Sequence, residues 1–359
     1  MKVEAQVELA PLTTLGVGGK AEHFVRVANE TELRDALAWA KQRELEVRML
    51  GGGSNIVVAD SGCPGLVIEM AIRGVALRDL GTQVEIRAAA GEPWDEFVAE
   101  MVSRGYQGLE CLSGIPGRVG ATPIQNVGAY GQDVAENITQ VAAIDTIGGT
   151  LRTFSTEECQ FAYRDSWFKS REPGRYIVTE VTFRLHPNAP AQLRYAELER
   201  HFQQQGNAAR SLAEVRAAVL QLRRAKSMVL DANDANCRSC GSFFVNPLLG
   251  PAQFSAFVAR AASEENIPQY PQADGRVKLS AGWLIEHAGF PRGTRDGAVG
   301  LSTKHALALV AHEGARAADV ARLAARVQLG VLERFGVQLE PEPVFWGLPS
   351  RASLPSRDR

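Results

Sequence analysis

GLECLSGIPGRVGATPIQNVGAYG, residues 108–131, decides how the rest of the chain is read. It holds six glycines and two prolines with few charges, and apolar residues are threaded throughout. That apolar content argues against disorder. A long irregular loop inside a compact domain is usually a working part. Small residues can line a flat apolar ligand while backbone groups supply its hydrogen bonds. A purely structural surface loop is the other reading.

A second glycine segment lies upstream. EVRMLGGGSNIVV (46–58) reads as a strand, a tight glycine turn and another strand. Gly51, Gly52 and Gly53 let a backbone approach a ligand closely and offer N–H groups to an anion, and Ser54 and Asn55 add side-chain donors. The spacing is neither that of a Rossmann loop nor that of a Walker loop, because no Lys-Ser/Thr follows and no helix opens there. On its own the segment reads equally well as a hairpin turn.

Outward from these loops the chain divides in texture. Residues 20 to about 187 are rich in β-branched residues and short alternating runs. Asn29 and Glu32 predict a capping box for a helix with Leu33, Leu37 and Ala40 on one face. Strands are expected at 46–50, 55–59, 65–70 and 84–90. Pro93 opens a helix with Trp94, Phe97, Val98 and Met101 inward. Gly148-Gly149 marks a hairpin, and 177–185 alternates as a half-buried strand. Pro187 and Pro190 suit a boundary. Beyond it Leu212, Val215, Val219 and Leu222 give a helical period that ends in Arg223-Arg224-Ala225-Lys226. Helices at about 251–265 and 280–288, an apolar strand at 306–310, a helix over about 317–335 and a solvated basic tail at 348–359 complete the pattern.

Bulk properties bound the function. At 359 residues, two or three domains are expected. A net charge of -2 gives no reason to expect a nucleic-acid partner. No apolar run reaches bilayer length, and MKVEAQVELAPL lacks a secretory core, so a cytoplasmic protein without a membrane segment is expected. Six scattered histidines and one C-x-x-C, Cys237 and Cys240, give no metal set. That cysteine pair is either a redox pair or two incidental thiols.

Nine segments together resemble a known family: LTTLGVGGKAEHFV (12–25), LGGGSN (50–55), AGEPWDEFV (90–98), IPGRVGATPIQNVGAYG (115–131), YRDSWFK (163–169), GSFFVNP (241–247), KLSAGWLIEHAGF (278–290), VGLSTKHALALV (299–310) and LEPEPVFWG (339–347). In this order they resemble the type I UDP-N-acetylenolpyruvoylglucosamine reductases, flavoproteins of the vanillyl-alcohol-oxidase-like superfamily. The resemblance implies an α+β fold with two FAD-binding subdomains, 1–72 (completed by about 300–347) and 73–187, and a substrate-binding subdomain at 188–299. It implies noncovalent FAD, NADPH as reductant and an enolpyruvyl UDP-N-acetylglucosamine as substrate, with the protein acting as a monomer. The reaction would turn that enolpyruvyl ether into the lactyl ether of UDP-N-acetylmuramate, a peptidoglycan precursor.

The resemblance also implies site residues. Arg164 would hold the substrate carboxylate, Ser242 would give a proton to the carbanion, and Glu342 would hydrogen-bond the enolate. Gly51, Gly52, Gly53, Ser54, Asn55, Gly114, Ile115, Thr122, Ile124 and Gly128 would line the cofactor. Tyr130, Tyr163, Tyr195, Asn246, Lys278 and His305 would line the substrate. Arg223 and Lys226, three apart at a helix end, either grip the diphosphate together or merely complement the helix dipole. Val344 departs from the family, because some members carry an arginine there. An FAD oxidase of the same superfamily and a non-catalytic nucleotide-sugar-binding protein are the competing readings. GSFFVNP and LEPEP argue against the first, and the joint presence of Arg164, Ser242 and Glu342 against the second.

Overall fold

The computed structural model describes residues 1–204, 206 and 210–348. From 349 on, the expected tail lies outside the described residues. The fold is α+β, and the chain falls into two compact units. One comprises Met1–Val7, Ala21–Gly52 and Pro64–Leu230; the other comprises Glu8–Lys20, Gly53–Cys63 and Asp231–Arg359. The first unit thus continues past Pro187 and Pro190 as far as Leu230.

The first unit carries two main sheets, besides the two-stranded ladder of Gly128–Ala129 with Gln132–Asp133. In the smaller, Val47–Leu50 pairs parallel with Cys63–Met70, and helix Glu30–Lys41 precedes both in sequence, following strand Lys20–Val27. Asn29 caps that helix as the sequence predicts, its side chain accepting from Glu32 N at 2.9 Å. Glu32 Oε2 accepts from Ala28 N at 2.8 Å rather than from Asn29 N, so the reciprocal half of the capping box falls one residue earlier. The larger sheet is antiparallel, in the order Leu151–Ser155, Ile138–Asp145, Tyr176–Pro187, Val84–Ala89, Val75–Asp79. Its centre corrects one expectation. Tyr176–Pro187 is not half-buried: Ile177, Thr179, Val181, Phe183 and Leu185 are buried as the alternation implies, and so are Val178 and Thr182 between them. The strand is paired along both edges, and its threonine hydroxyls are satisfied locally, as when Thr179 Oγ1 donates to Ala142 O. Helix Trp94–Ser103 covers this sheet with Trp94, Phe97, Val98 and Met101 buried, as expected. The Phe97 and Phe183 rings meet at 5.3 Å. Deleting such a ring costs about 3–5 kcal/mol.

The second unit is built around helix Ala317–Phe335, whose Val320, Leu323, Val327, Val331 and Phe335 are buried. They pack in one core with Phe243, Phe257, Leu284 and Ile285, from segments that include helices Pro251–Arg260 and Ala281–His287. The strand expected at 306–310 sits later, at Leu309–Ala311. The residues before it form a turn because Ser302 Oγ accepts from the N–H groups of Lys304 and His305. Ile56–Val58 pairs parallel with Val344–Trp346, so the glycine triplet is not a hairpin turn. Among the described residues no helix is long and apolar enough to cross a membrane. No group of three or more His, Cys, Asp or Glu that could hold a metal is found among them either.

Candidate functional site

In the first unit the loop read from sequence is irregular but firmly tied. Trp94 N donates to Gly117 O, Val119 N to Glu92 O and Gly120 N to Ala90 O, all within 3.1 Å. These bonds lay 114–120 along the end of strand Val84–Ala89 and the start of helix Trp94–Ser103. Here Gly52 and Gly117 approach so closely that a Cβ on Gly52 would stand 2.8 Å from Gly117 Cα. Gly114 and Gly117 have φ of +74° and +127°, where a side chain would be strained. Thr122 is buried with its hydroxyl donating to Val119 O, and Ile124 O accepts from Ser166 Oγ.

The donor set on these loops suits an anionic, flat ligand such as a flavin dinucleotide. Side-chain-free backbone at Gly51 and Gly52 is joined by Arg118, whose stem runs past Gly51. Arg118 Nη1 reaches Gly91 O at 3.3 Å, its Nε is buried without an acceptor, and it makes no ion pair with the described residues. Burial, helped by nearby Arg73, holds this guanidinium below its usual pKa range. A partly buried cation with no ion-pair partner among the described residues favours an incoming anion. Arg118 was not foreseen, although it is the one cation of the 108–131 loop.

The same unit gathers a cationic cluster from several of the expected residues. Arg164 Nη2 donates to Gly128 O at 2.8 Å, and its guanidinium lies 5.5 Å from the Tyr163 ring. Tyr130 and Tyr195 meet edge to face at 5.4 Å, with Lys226 Nζ 5.7 Å from the Tyr130 ring. Arg164 and Tyr130 are both left-handed, at φ of +55° and +48°. Non-glycine residues there carry about 1–3 kcal/mol of strain, which tends to persist at working sites. Burial pushes the Tyr130 phenol up to about 12, so it is neutral at physiological pH.

Arg223 and Lys226 differ in their partners. Lys226 Nζ is already paired with Glu197 at 2.6 Å. Arg223 Nη2 donates to Met228 O at 2.7 Å, its Nε is buried without an acceptor, and among the described residues no carboxylate lies within ion-pair distance. Burial holds Arg223 below its usual range, while Tyr130 and Asp95 pull the other way. Of the two cations, Arg223 is the one left for an anion.

The second unit brings together Ser242, Glu342 and Asn55. Glu342 N donates to Phe243 O at 2.9 Å and Val245 N to Glu340 O at 3.0 Å, so GSFF runs beside LEPEP. Gly241, at φ +72°, redirects the chain immediately before Ser242. Asn55 Nδ2 donates to Glu342 O, and Val344 N to Asn55 O. Phe243 N donates to Leu307 O, which sets the His305 turn on the other side of the GSFF segment. Asn246 Oδ1 accepts from Ala281 N at the start of helix Ala281–His287, and Lys278 Nζ stands 5.9 Å from the exposed Tyr270 ring. Tyr270 is a further candidate that the sequence reading passed over; its signal was a tyrosine paired across a short ladder with Lys278. Val344 is exposed. Cys240 is buried, and burial pushes its thiol up to about 12, which disfavours thiolate chemistry in the C-x-x-C.

Comparison with known proteins gives a consistent answer. The model for the C-terminal domain of UDP-N-acetylenolpyruvoylglucosamine reductase matches residues 232–346, and an FAD binding domain model matches residues 21–155. The UDP-N-acetylenolpyruvoylglucosamine reductase of Thermobifida fusca is 48% identical over 348 residues, covering 95% of this chain and 97% of its own. That of Pseudomonas fluorescens is 39% identical over 344 residues, covering 96% and 98%. Among solved structures, UDP-N-acetylenolpyruvylglucosamine reductase from Thermus caldophilus superposes with a TM-score of 0.66 at 28% identity, over 96% of this chain and 99% of that one. With two loops and GSFF beside LEPEP all falling within such nearly full-length matches, the chain belongs to the UDP-N-acetylenolpyruvoylglucosamine reductase family.

Proposed function

We propose that this protein is an FAD-containing oxidoreductase that uses NADPH to reduce the enolpyruvyl ether of UDP-N-acetylglucosamine to UDP-N-acetylmuramate, a step of peptidoglycan synthesis. The observation that carries this reading is 48% identity to a reductase so named, over nearly the whole of both chains. The FAD binding domain match and the cation-bearing glycine loops support the cofactor. When bound, FAD supplies the hydride chemistry between NADPH and the vinyl carbon.

The chain's own residues orient the substrate and manage charge and protons. Arg164 binds the substrate carboxylate with a planar fork that cannot lose its proton. Negative charge grows on the carbon next to that carboxylate as hydride arrives, so a fixed cation there lowers the barrier. Ser242 Oγ gives its proton to that carbon, and Glu342 hydrogen-bonds the enolate. Arg223 receives the diphosphate, with Tyr130, Tyr163, Tyr195, Asn246, Lys278 and His305 around the nucleotide sugar. Gly51–Asn55, Gly114, Ile115, Thr122, Ile124 and Gly128 line FAD. The subdomain division at about 72, 187 and 299 and a cytoplasmic monomer complete the proposal.

The test is spectroscopic. The purified protein should be yellow, bleach anaerobically with NADPH, and regain colour when the enolpyruvyl nucleotide sugar is added. Recovery with dioxygen alone would instead make it an oxidase. A colourless protein that cannot be reconstituted with FAD would leave only a binding role. Ser242→Ala should still bleach but fail to turn over; equal loss of both half-reactions removes Ser242 from the proton-donor role.

A further inference from the structure

Asp95 is the second residue of helix Trp94–Ser103 and sits at the centre of a small knot. Arg216 grips it with two bonds, Nη1 to Oδ1 at 2.6 Å and Nη2 to Oδ2 at 2.9 Å. The Gly114 N–H donates to the same Oδ1. Burial works against the Asp95 charge, but the Arg216 bonds, the Gly114 N–H and the charges of Arg216 and Arg223 outweigh it. The carboxyl therefore ends below its usual range and is ionised at neutral pH.

Arg216 and Arg223 belong to one helix, Leu212–Ala225, two turns apart and so on one face. Both lie in the field of the single Asp95 carboxylate. Gly114 adjoins Arg223 as well: a Cβ there would come 3.3 Å from Arg223 Nε. The other charged or titratable neighbours are the Arg164 guanidinium, the neutral Tyr130 phenol and the Lys226–Glu197 pair, which is closed on itself. One carboxylate thus stands near two arginines and is fully engaged by one of them.

We propose that Arg216 is a positioning residue that withholds Asp95 from Arg223, keeping Arg223 uncompensated for the diphosphate of a nucleotide sugar. A bidentate pair neutralises the carboxylate and fixes its geometry. Without Arg216, Asp95 becomes an unneutralised anion beside the cation that must receive an anion, and it competes with the ligand. The inference rests on the nucleotide-sugar reading above and adds a residue that makes no ligand contact.

The test separates charge from packing. Arg216→Gln should raise KM for the enolpyruvyl nucleotide sugar at least about ten-fold, the scale measured for close charge pairs, with kcat changed much less. Adding Asp95→Asn removes the competing charge and should bring KM back most of the way. A purely structural Arg216 predicts the opposite, a double variant no better than the single one. Arg216→Lys keeps the neutralising charge but loses the fork, so its KM should fall between those of the parent and Arg216→Gln. Thermal melting and FAD content of each variant show whether it is folded and loaded. An unchanged KM in Arg216→Gln, or a double variant as weak as Arg216→Gln, overturns the inference. A parent protein that never reduces the nucleotide sugar overturns the reading beneath it instead.

Discussion

The three glycines of 51–53 should respond very differently to one added methyl group. At Gly53 the backbone is left-handed, φ +63°, and a Cβ would lie 2.0 Å from Leu12 O and 2.8 Å from Thr13 Cα. Both obstacles are backbone, held in part by the bond from Thr14 N to Gly53 O at 3.0 Å. The conformational cost for alanine is about 1–2 kcal/mol. Relief of the clash adds about 1–3 kcal/mol, the usual range for overpacking. Gly53→Ala is therefore expected to lose about 2–5 kcal/mol in total. At Gly52 the φ is not left-handed, and only the 2.8 Å approach to Gly117 Cα must be relieved, so about 1–3 kcal/mol is expected. At Gly51 the nearest atom is Arg118 Cγ, 3.6 Å away, an ordinary contact. Gly51→Ala should then change stability by no more than about 1 kcal/mol in either direction, since the unfolded chain also loses freedom. Thermal midpoints of the three apoproteins give the order, and the 450 nm absorbance of the reconstituted proteins gives FAD retention separately. A Gly51→Ala as damaging as Gly53→Ala, or a Gly53→Ala as stable as the parent, refutes this reasoning.

Two further outcomes follow from the described contacts. Asp60 accepts from Ala317 N at 2.8 Å and Ala318 N at 3.0 Å, capping the helix that organises the second unit. Asp60→Ala should cost about 1–2 kcal/mol in thermal or urea melts, and no loss would show that these N–H groups find water as readily. Burial pushes the thiols of Cys111, Cys159 and Cys240 up to about 12. Because a raised pKa depletes the thiolate, only ~10⁻⁴ of each is reactive at pH 8, and iodoacetamide should spare them until the chain unfolds. Labelling of Cys240 in the native protein at the rate of a free thiol would contradict this.

Local signals were the legible ones. Asn29 with Glu32, and Pro93 before Trp94, announce their helices because cap and apolar stripe lie within one or two turns. The helix at 317–335 was expected from the chain, but its cap was not: Arg316 precedes it, and the carboxylate that serves its N–H groups comes from Asp60. Likewise, period-two alternation at 177–185 is the pattern of a one-sided strand. Only the tertiary structure shows that Val178 and Thr182 are buried too. In the site, the glycine loops and the GSFF and LEPEP segments could be named from the chain alone. That Glu342 N bonds Phe243 O could not, nor that Asp95 chooses an arginine 121 residues away, because such pairings depend on the tertiary fold. Arg223 and Lys226 looked equivalent in sequence and became distinct only when Glu197 was found on one of them.

The parallel pairing of Ile56–Val58 with Val344–Trp346 has a consequence for how the protein is made. On the ribosome the earlier strand emerges first and must wait for nearly the whole remaining chain before its partner exists. At typical synthesis rates that interval is roughly 15–60 s. Throughout it, Val57 and Val58, fully buried in the finished protein, have no mate. The segments 8–20 and 53–63 of the second unit are meanwhile carried as loops of a first unit that can already be collapsing. Nascent chains stalled before residue 344 should therefore leave this edge open to chaperones and proteases, and shortening the C-terminus past Trp346 would make that transient exposure permanent.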